Sequence, residues 1–230
     1  MSRCKLQAAV FALLACLAGG LSLQAQVGFL LGGELRLGGS YIMPNENASH
    51  VSVGSAAGLS IDYTHHLGDH FAWNLNYLYS NLDVSSTRWI PPYAGIKESF
   101  GVQSFTFSLQ FAFLANSRWN PYVGAGFNVL YTPGSPGKEV WVGEGPGGFL
   151  ATPAGGFGSG TVGTAFQAGV TYRLSGPLLF DVNAKYVDNG LRMDKYLPYQ
   201  VGGTLYLVRS GSYTLRLNPV VLTASVGFRW

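Results

Sequence analysis

Apolar and polar side chains alternate with a period of two residues along this chain, and this pattern constrains the fold most strongly. It is clearest over residues 104–113, where five large apolar side chains alternate with Ser, Thr and Gln. Alternation of this kind predicts a β-strand with one apolar face. The pattern occurs eight times, and we expect strands over residues 28–38, 57–63, 71–80, 104–113, 123–131, 161–172, 178–186 and 220–230.

The lengths of the connections between these strands distinguish two all-β folds. The connections after the second, fourth and sixth strands are short, and those after the first, third, fifth and seventh are long. Short periplasmic turns that alternate with long outer loops are typical of outer-membrane barrels with an even number of strands. The sequence therefore predicts an all-β fold, an eight-stranded antiparallel transmembrane β-barrel with short periplasmic turns and long extracellular loops.

The composition favours this barrel over a soluble β-sandwich, which is the alternative fold. Charged residues make up 11% of the chain, against about 25% in ordinary soluble domains. A sandwich would bury its large aromatic side chains and carry charge on its outer face. Here the polar positions are small and mostly uncharged, and aromatic residues recur near both ends of the predicted strands, as in the two aromatic girdles of membrane barrels.

The N-terminus has the features of a secretory signal peptide. Arg3 and Lys5 precede an apolar stretch, and Ala25 ends a plausible cleavage site. We expect residues 1–25 to be the signal peptide and residues 26–230 the barrel, located in the bacterial outer membrane after export. Lipidation at Cys16 is the alternative processing route. Cleavage after Ala25 would remove both cysteines, Cys4 and Cys16, and with them any disulfide or thiolate chemistry.

The charge balance excludes a polyanionic partner. Without Arg3 and Lys5 the chain keeps 12 of its 14 basic residues against 11 acidic ones, and the basic residues are not clustered. Nucleic-acid binding needs such a cluster. We therefore expect outer-membrane lipid as a partner and no nucleic acid.

The predicted inward faces divide the lumen into an apolar outer part and a polar inner part. Near the outer end, five apolar residues are expected to form a vestibule that suits a hydrophobic solute: Leu78, Val102, Leu130, Val187 and Val221. Deeper positions are small and polar. An eight-stranded barrel is only wide enough for side chains to fill it, so ions should not flow freely.

Four charged residues on neighbouring parts of the predicted barrel point into the lumen: Glu34, Arg36, Asp181 and Lys185. Buried charges are costly unless they are paired. We therefore expect a charge network across the lumen, acting either as a structural plug or as a gate.

Two segments make the chain resemble the OmpW family of small outer-membrane barrels. One is Asn120-Pro121-Tyr122-Val123-Gly124-Ala125-Gly126, which opens a strand after a periplasmic turn, and the other is the ending Leu215-Arg216-Leu217-Asn218-Pro219-Val220-Val221 with Val226-Gly227-Phe228-Arg229-Trp230. The resemblance implies a narrow channel for passive transport of small hydrophobic molecules, with no catalysis and no cofactor. It also implies that Phe228 and Trp230 form a C-terminal assembly signal for the barrel-assembly machinery.

A surface adhesin or receptor is the alternative function, with the barrel as an anchor and the outer loops as binding sites for host or phage ligands. The last outer loop has the pattern of a hairpin that turns around Ser210-Gly211. The long loop over residues 132–160 is rich in Gly and Pro, and its stretch 143–148 lacks the following helix that a phosphate-binding loop needs.

The histidines suggest two further hypotheses, and we expect neither a metal site nor an enzyme. His65, His66 and His70 lie in one predicted turn, where polarity at the membrane edge explains them as well as metal binding does. His50 is the one histidine near the outer face, and no motif pairs it with a carboxylate for catalysis.

Overall fold

The structure, a computed structural model, describes residues 33–45, 51–86, 97–114, 117–132, 140–142, 149–153, 160–201 and 204–230. The predicted signal peptide and residues 28–32 of the predicted first strand lie outside these ranges. No helix in the described ranges is long and apolar enough to cross a bilayer.

The described residues form thirteen strands. In chain order these are β1 (Gly33–Met43), β2 (Val51–Val53), β3 (Ala56–His66), β4 (Phe71–Ser86), β5 (Lys97–Ala112), β6 (Trp119–Tyr131), β7 (Val140–Val142), β8 (Phe149–Pro153), β9 (Thr161–Arg173), β10 (Leu178–Asp188), β11 (Gly190–Val201), β12 (Thr204–Arg216) and β13 (Val220–Arg229).

Eight of these strands close into an antiparallel barrel. Their order around the barrel is β4-β3-β1-β13-β10-β9-β6-β5, and pairing of β4 with β5 closes the ring. Each of the eight barrel strands overlaps one of the eight predicted from alternation, and the predicted fold class is confirmed. A closed ring leaves no unpaired barrel edge, which is the condition for spanning lipid with strands.

The outer face of the barrel is an apolar belt. On β1, Leu35 and Leu37 are 42% and 59% exposed, whereas Glu34 and Arg36 between them are buried. Ile61, Leu109 and Val182 are likewise exposed on their strands. A closed barrel whose outward side chains are Leu, Ile, Val and Phe presents a surface that faces lipid.

Aromatic clusters occur at both ends of the strands. Toward the short turns, the Phe111 ring lies 5.3 Å from the rings of both Phe71 and Phe113. Toward the long loops, the Phe105 ring lies 4.9 Å from Tyr77 and 6.2 Å from Tyr131. Amphipathic rings at these heights fit the two interfaces between bilayer and water.

Strands β4 and β5 continue beyond the predicted stretches. They remain paired as far as Ser85 opposite Lys97, which extends the hairpin above the rest of the barrel. Leu82, Val84 and Phe100 on this extension are buried, so the extra length is stabilised by packing against other outer segments. The alternation did not predict the extension because its phase reverses there: Leu82 and Val84 are apolar and buried, whereas the apolar residues Leu75 and Tyr79 earlier on β4 are exposed.

The outer loops form a second sheet with the order β12-β11-β8-β7. The loop over residues 132–160 therefore contributes the short strands β7 and β8 rather than loop structure alone. The predicted position of the hairpin turn was wrong, because β11 and β12 meet at Val201 opposite Thr204. Gly211 lies instead at a register shift within β12 and has a φ of 142°, which only glycine adopts readily.

The apolar belt predicts the effect of placing a charge on it. Leu109 is 58% exposed on β5 and lies four residues from Phe105 on one side and four residues from Phe113 on the other. Leu109→Arg should lower the free energy of unfolding in lipid by about 2–4 kcal/mol, because the charge must enter hydrocarbon. Reversible unfolding in vesicles would measure this change. Leu114→Arg is the matched control, since Leu114 is 52% exposed but lies beyond the end of β5, and an equal loss in both variants would contradict the lipid-facing position of Leu109.

Candidate functional site

The lumen is the candidate functional site, and its outer end is apolar. The five residues of the predicted vestibule are all buried and lie close together there. Together with other apolar residues and the polar side chains of Ser80, Ser104 and Asn128, they line a cavity of about 20 Å³. A cavity of this size has room for about one water molecule, so these side chains surround a small pocket rather than an open entrance.

The base of the β11–β12 hairpin caps this cavity. Leu191 and Met193 on β11, with Leu215 on β12 and Leu217 just after it, are buried in one cluster with Leu78, Val102, Leu130 and Val221. Sequence reasoning missed these four capping residues. In the sequence these residues belong to two short alternating stretches. Such stretches predict two strands, but they do not predict that the base of the hairpin packs over the lumen.

Asn189 fixes the hairpin base to the barrel rim. Its backbone carbonyl accepts hydrogen bonds from Leu217 N at 3.0 Å and from Asn218 N at 3.1 Å. Its side-chain amide donates to Asn128 Oδ1 at 3.0 Å, and Asn128 in turn donates to Ser104 and Thr106 on β5. The amide of Asn189 therefore links the cap to polar side chains of β5 and β6, of which Ser104 and Asn128 line the cavity.

A lysine crosses the lumen directly beneath the cavity. Lys185 Nζ on β10 donates a hydrogen bond of 2.6 Å to Asn76 Oδ1 on β4. These two strands lie four positions apart in the ring of eight, so they stand on opposite walls. Val187 and Leu78, each two residues further out, line the cavity. The Lys185–Asn76 contact, here called the crossbar, therefore separates the apolar outer part from the polar inner part.

A buried charge cluster lies further inward. Arg36 on β1 pairs with Glu34 on the same strand at 2.5 Å and with Asp181 on β10 at 3.1 Å. Asp181 also accepts hydrogen bonds from the Tyr122 hydroxyl at 3.2 Å and the Thr171 hydroxyl at 2.8 Å. The cluster thus joins β1, β10, β6 and β9 across the lumen.

Two glycines make room for the large side chains of this cluster. A Cβ at Gly227 would lie 2.7 Å from Arg36 Cγ, so glycine allows the arginine to lie against β13. A Cβ at Gly169 would lie 2.6 Å from the Tyr122 hydroxyl oxygen. Small residues in the wall therefore decide where the guanidinium and the phenol can sit.

The inner mouth surrounds Glu34 with cationic or titratable side chains. His66 Nε2 lies 2.9 Å from Glu34 Oε1, and Arg229 Nη1 lies 3.8 Å from the same oxygen. His70 Nδ1 lies 2.7 Å from the Ala112 carbonyl oxygen, within hydrogen-bond distance. In the part of the chain described, no three His, Cys, Asp or Glu side chains are grouped to hold a metal ion.

The structure brings three of the four predicted network residues into contact. Glu34, Arg36 and Asp181 are joined directly, whereas among the described residues no ion pair joins Lys185 to a carboxylate. Lys185 forms the crossbar instead, because its strand position is two layers further out than Asp181. The choice between plug and gate remains a prediction.

The predicted C-terminal signal residues lie on the outer face of the barrel. Phe228 and Trp230 are 48% and 42% exposed, and their rings stack at 6.2 Å. Trp230 N donates a 3.2 Å hydrogen bond to the Gly33 carbonyl at the start of β1. Their role in assembly remains a prediction. His50, considered above for catalysis, lies outside the described residues.

Comparison of the whole fold with solved structures finds outer-membrane barrels. OprG from Pseudomonas aeruginosa superposes with a TM-score of 0.62 at 17% identity, over 86% of this chain and 95% of that one. AlkL, determined in lipid bilayers, gives a TM-score of 0.51 at 14% identity, over 88% and 92%. No family model matches the sequence, and no curated protein matches it.

This likeness defines the class of fold. OprG and AlkL are small eight-stranded barrels of the OmpW/OprG family, and the resemblance predicted from the sequence is confirmed at the level of fold. The chain is an all-β protein with the architecture of the small outer-membrane barrels.

The charge cluster predicts a large stability loss when its central carboxylate is removed. Asp181→Ala would leave the buried Arg36 guanidinium with only Glu34 as a counterion and would remove the acceptor of the Tyr122 and Thr171 hydroxyls. We expect the free energy of unfolding to fall by about 3–5 kcal/mol, measured by denaturant unfolding in lipid. Asp188→Ala is the matched control, since Asp188 is exposed on the same strand. Equal stability of the two variants would contradict a structural role for the cluster.

A second variant distinguishes a plug from a gate. Glu34→Ala removes one of the two carboxylate partners of Arg36, together with the partner of His66 at the inner mouth. If the cluster is a structural plug, this variant should be less stable but should conduct ions no better than the wild type in planar bilayers. A clear rise in single-channel conductance would instead identify Glu34 as part of a gate.

Proposed function

We propose that this protein is an integral outer-membrane barrel that admits small, mainly hydrophobic molecules into the outer end of its lumen for passive transport across the outer membrane. The apolar cavity carries this proposal. Its lining includes Leu78, Val102, Leu130, Val187 and Val221, and side chains of this kind favour an apolar solute over a sugar or an ion.

The polar layers below the cavity limit the route that such a solute can take. Beyond the crossbar, an apolar molecule would have to pass the buried charges of Arg36, Asp181 and Glu34 without forming hydrogen bonds to them. Separating those charges would be costly. Release sideways through the barrel wall into the bilayer fits the position of the cavity better than passage along the whole lumen.

The cap must move for a solute to be bound. A cavity of about 20 Å³ is smaller than any solute of several carbon atoms. In this proposal the solute displaces Leu191, Met193 and Leu215 and takes over their apolar contacts. The hairpin base is then a cap that a solute can displace.

Excision of the hairpin tests this proposal. Asn189 and Leu217 are joined by a backbone hydrogen bond, so residues 190–216 can be replaced by a two-residue turn with little change to the barrel. This variant should take up a hydrophobic probe faster than the wild type, while uptake of a polar probe of equal size changes less. Uptake into vesicles with a lipopolysaccharide outer leaflet would measure both rates.

A shorter excision provides the matched control. Asp194 faces Ser212 across the hairpin, so removing residues 195–211 keeps the four capping residues. This control should take up both probes at the wild-type rate. A folded long-excision variant with no gain in hydrophobic uptake would contradict the transport proposal.

A surface-binding role is the second candidate, favoured by the four-stranded sheet outside the barrel. On this sheet Arg209 Nη2 donates to Asp194 Oδ1 at 2.6 Å, and this hydrogen bond raises the pKa of the Arg209 guanidinium. The paired charges lie on an exposed ribbon, where binding loops commonly occur. Loss of cell-surface attachment in the 195–211 excision, with uptake unchanged, would support this second role.

A further inference from the structure

We propose that the crossbar and Asp62 form a head-group site at the inner end of the apolar cavity, and that the preferred solute is a small apolar molecule with one hydroxyl group. This inference rests on the proposed function and specifies its substrate class. The site would hold the hydroxyl while the carbon chain occupies the cavity.

Lys185 has unused hydrogen-bonding capacity at this point. An ammonium group has three N–H donors, and within the described residues the Lys185 side chain makes one hydrogen bond, to Asn76. Lys185 is 5% exposed, and no carboxylate oxygen lies within ion-pair distance of it in the described ranges. A buried ammonium in this state can donate to an incoming oxygen atom.

Asp62 offers the complementary acceptor in the same layer. It lies opposite Asn76 in the β3–β4 register and is 5% exposed. Its Oδ1 atom accepts a long hydrogen bond of 3.4 Å from Asn74, and its Oδ2 atom has no hydrogen-bond partner among the described residues. A buried carboxylate oxygen without a donor is unfavourable unless some other group supplies one.

A hydroxyl group matches this pair because it can both accept and donate. Its oxygen would accept from Lys185 Nζ and its proton would be donated to Asp62 Oδ2. The head group would thereby satisfy two groups that the fold leaves incompletely bonded. An alkane would satisfy neither.

The charge balance of the lumen favours a neutral head group. Among the described residues, the buried charges are the carboxylates of Glu34, Asp62 and Asp181 and the cations Arg36 and Lys185. Arg229 supplies a third cation, 3.8 Å from Glu34. The set is therefore already balanced, and a carboxylate or ammonium head group would add an uncompensated charge in a buried site.

The proposal is tested by binding of four six-carbon probes to the refolded protein in lipid nanodiscs. The probes are 1-hexanol, hexane, hexanoate and hexylamine, and the readout is the NMR shift of the methyl groups of Leu78 and Val187, which line the cavity. We expect 1-hexanol to bind about tenfold more tightly than hexane, as one charge-assisted hydrogen bond allows. Hexanoate and hexylamine should bind more weakly than 1-hexanol.

Variants then assign the preference to the two residues. Lys185→Met and Asp62→Asn should reduce the preference for 1-hexanol over hexane and leave hexane binding unchanged. Ser225→Ala, a buried lumen control outside the crossbar layer, should keep the wild-type preference. If a variant does not fold, the four-probe comparison on the wild type still decides the proposal.

The outcomes separate this inference from the proposed function. Equal binding of hexane and 1-hexanol would overturn the head-group site but leave the hydrophobic cavity as a solute site. Tightest binding of hexanoate or hexylamine would overturn the choice of a neutral head group. If no probe shifts the cavity methyl groups, both the head-group site and the proposed function are overturned.

Discussion

Closure of eight strands into one ring is the constraint on which the rest of this structure depends. Because each strand has only two faces, one set of side chains must meet lipid and the other must fill a lumen that is barely wide enough for it. Leu37 and Leu109 on the outside, and Arg36 and Asp181 on the inside, are consequences of the same alternation. The narrow lumen also lets Lys185 reach Asn76 on the opposite wall, which a wider barrel would not allow.

The lumen has a polarity gradient along its axis. Its outer part contains an apolar cavity under the hairpin cap, its middle contains the crossbar, and its inner part contains the charge cluster. Interactions in the inner part tie four strands together through one arginine and one aspartate. Those in the outer part are apolar contacts that a solute can replace. The outer end is therefore the part of the lumen that is suited to bind and release a solute.

The sequence predicted the fold well because alternation is a local signal. Over most of their length the barrel strands bury polar side chains and expose large apolar ones. The period and the outward face could therefore be identified directly from the sequence. The cap escaped prediction because its position depends on how Leu191 and Leu215 pack against Leu78 and Val102, which are far away in sequence. Lys185 was expected in the charge network because it shares the inward face of β10 with Asp181. It lies two inward-facing positions further out than Asp181 and contacts Asn76 instead. The turn near Ser210-Gly211 was misplaced because a glycine can serve a bulge as well as a turn.

Photolabelling with a small hydrophobic diazirine probe, supplied from the lipopolysaccharide side of the membrane and followed by mass spectrometry, would show which lumen residues a hydrophobic solute reaches. If the polar layers exclude hydrophobic solutes, labels should appear on cavity residues such as Leu78, Val102 and Val221 and on neighbouring outward side chains, with none below the crossbar. Labels on Gln110 or Asn120 at the inner mouth would show that the probe passes along the whole lumen. In that case the polar layers would not close the inner part of the barrel to hydrophobic solutes.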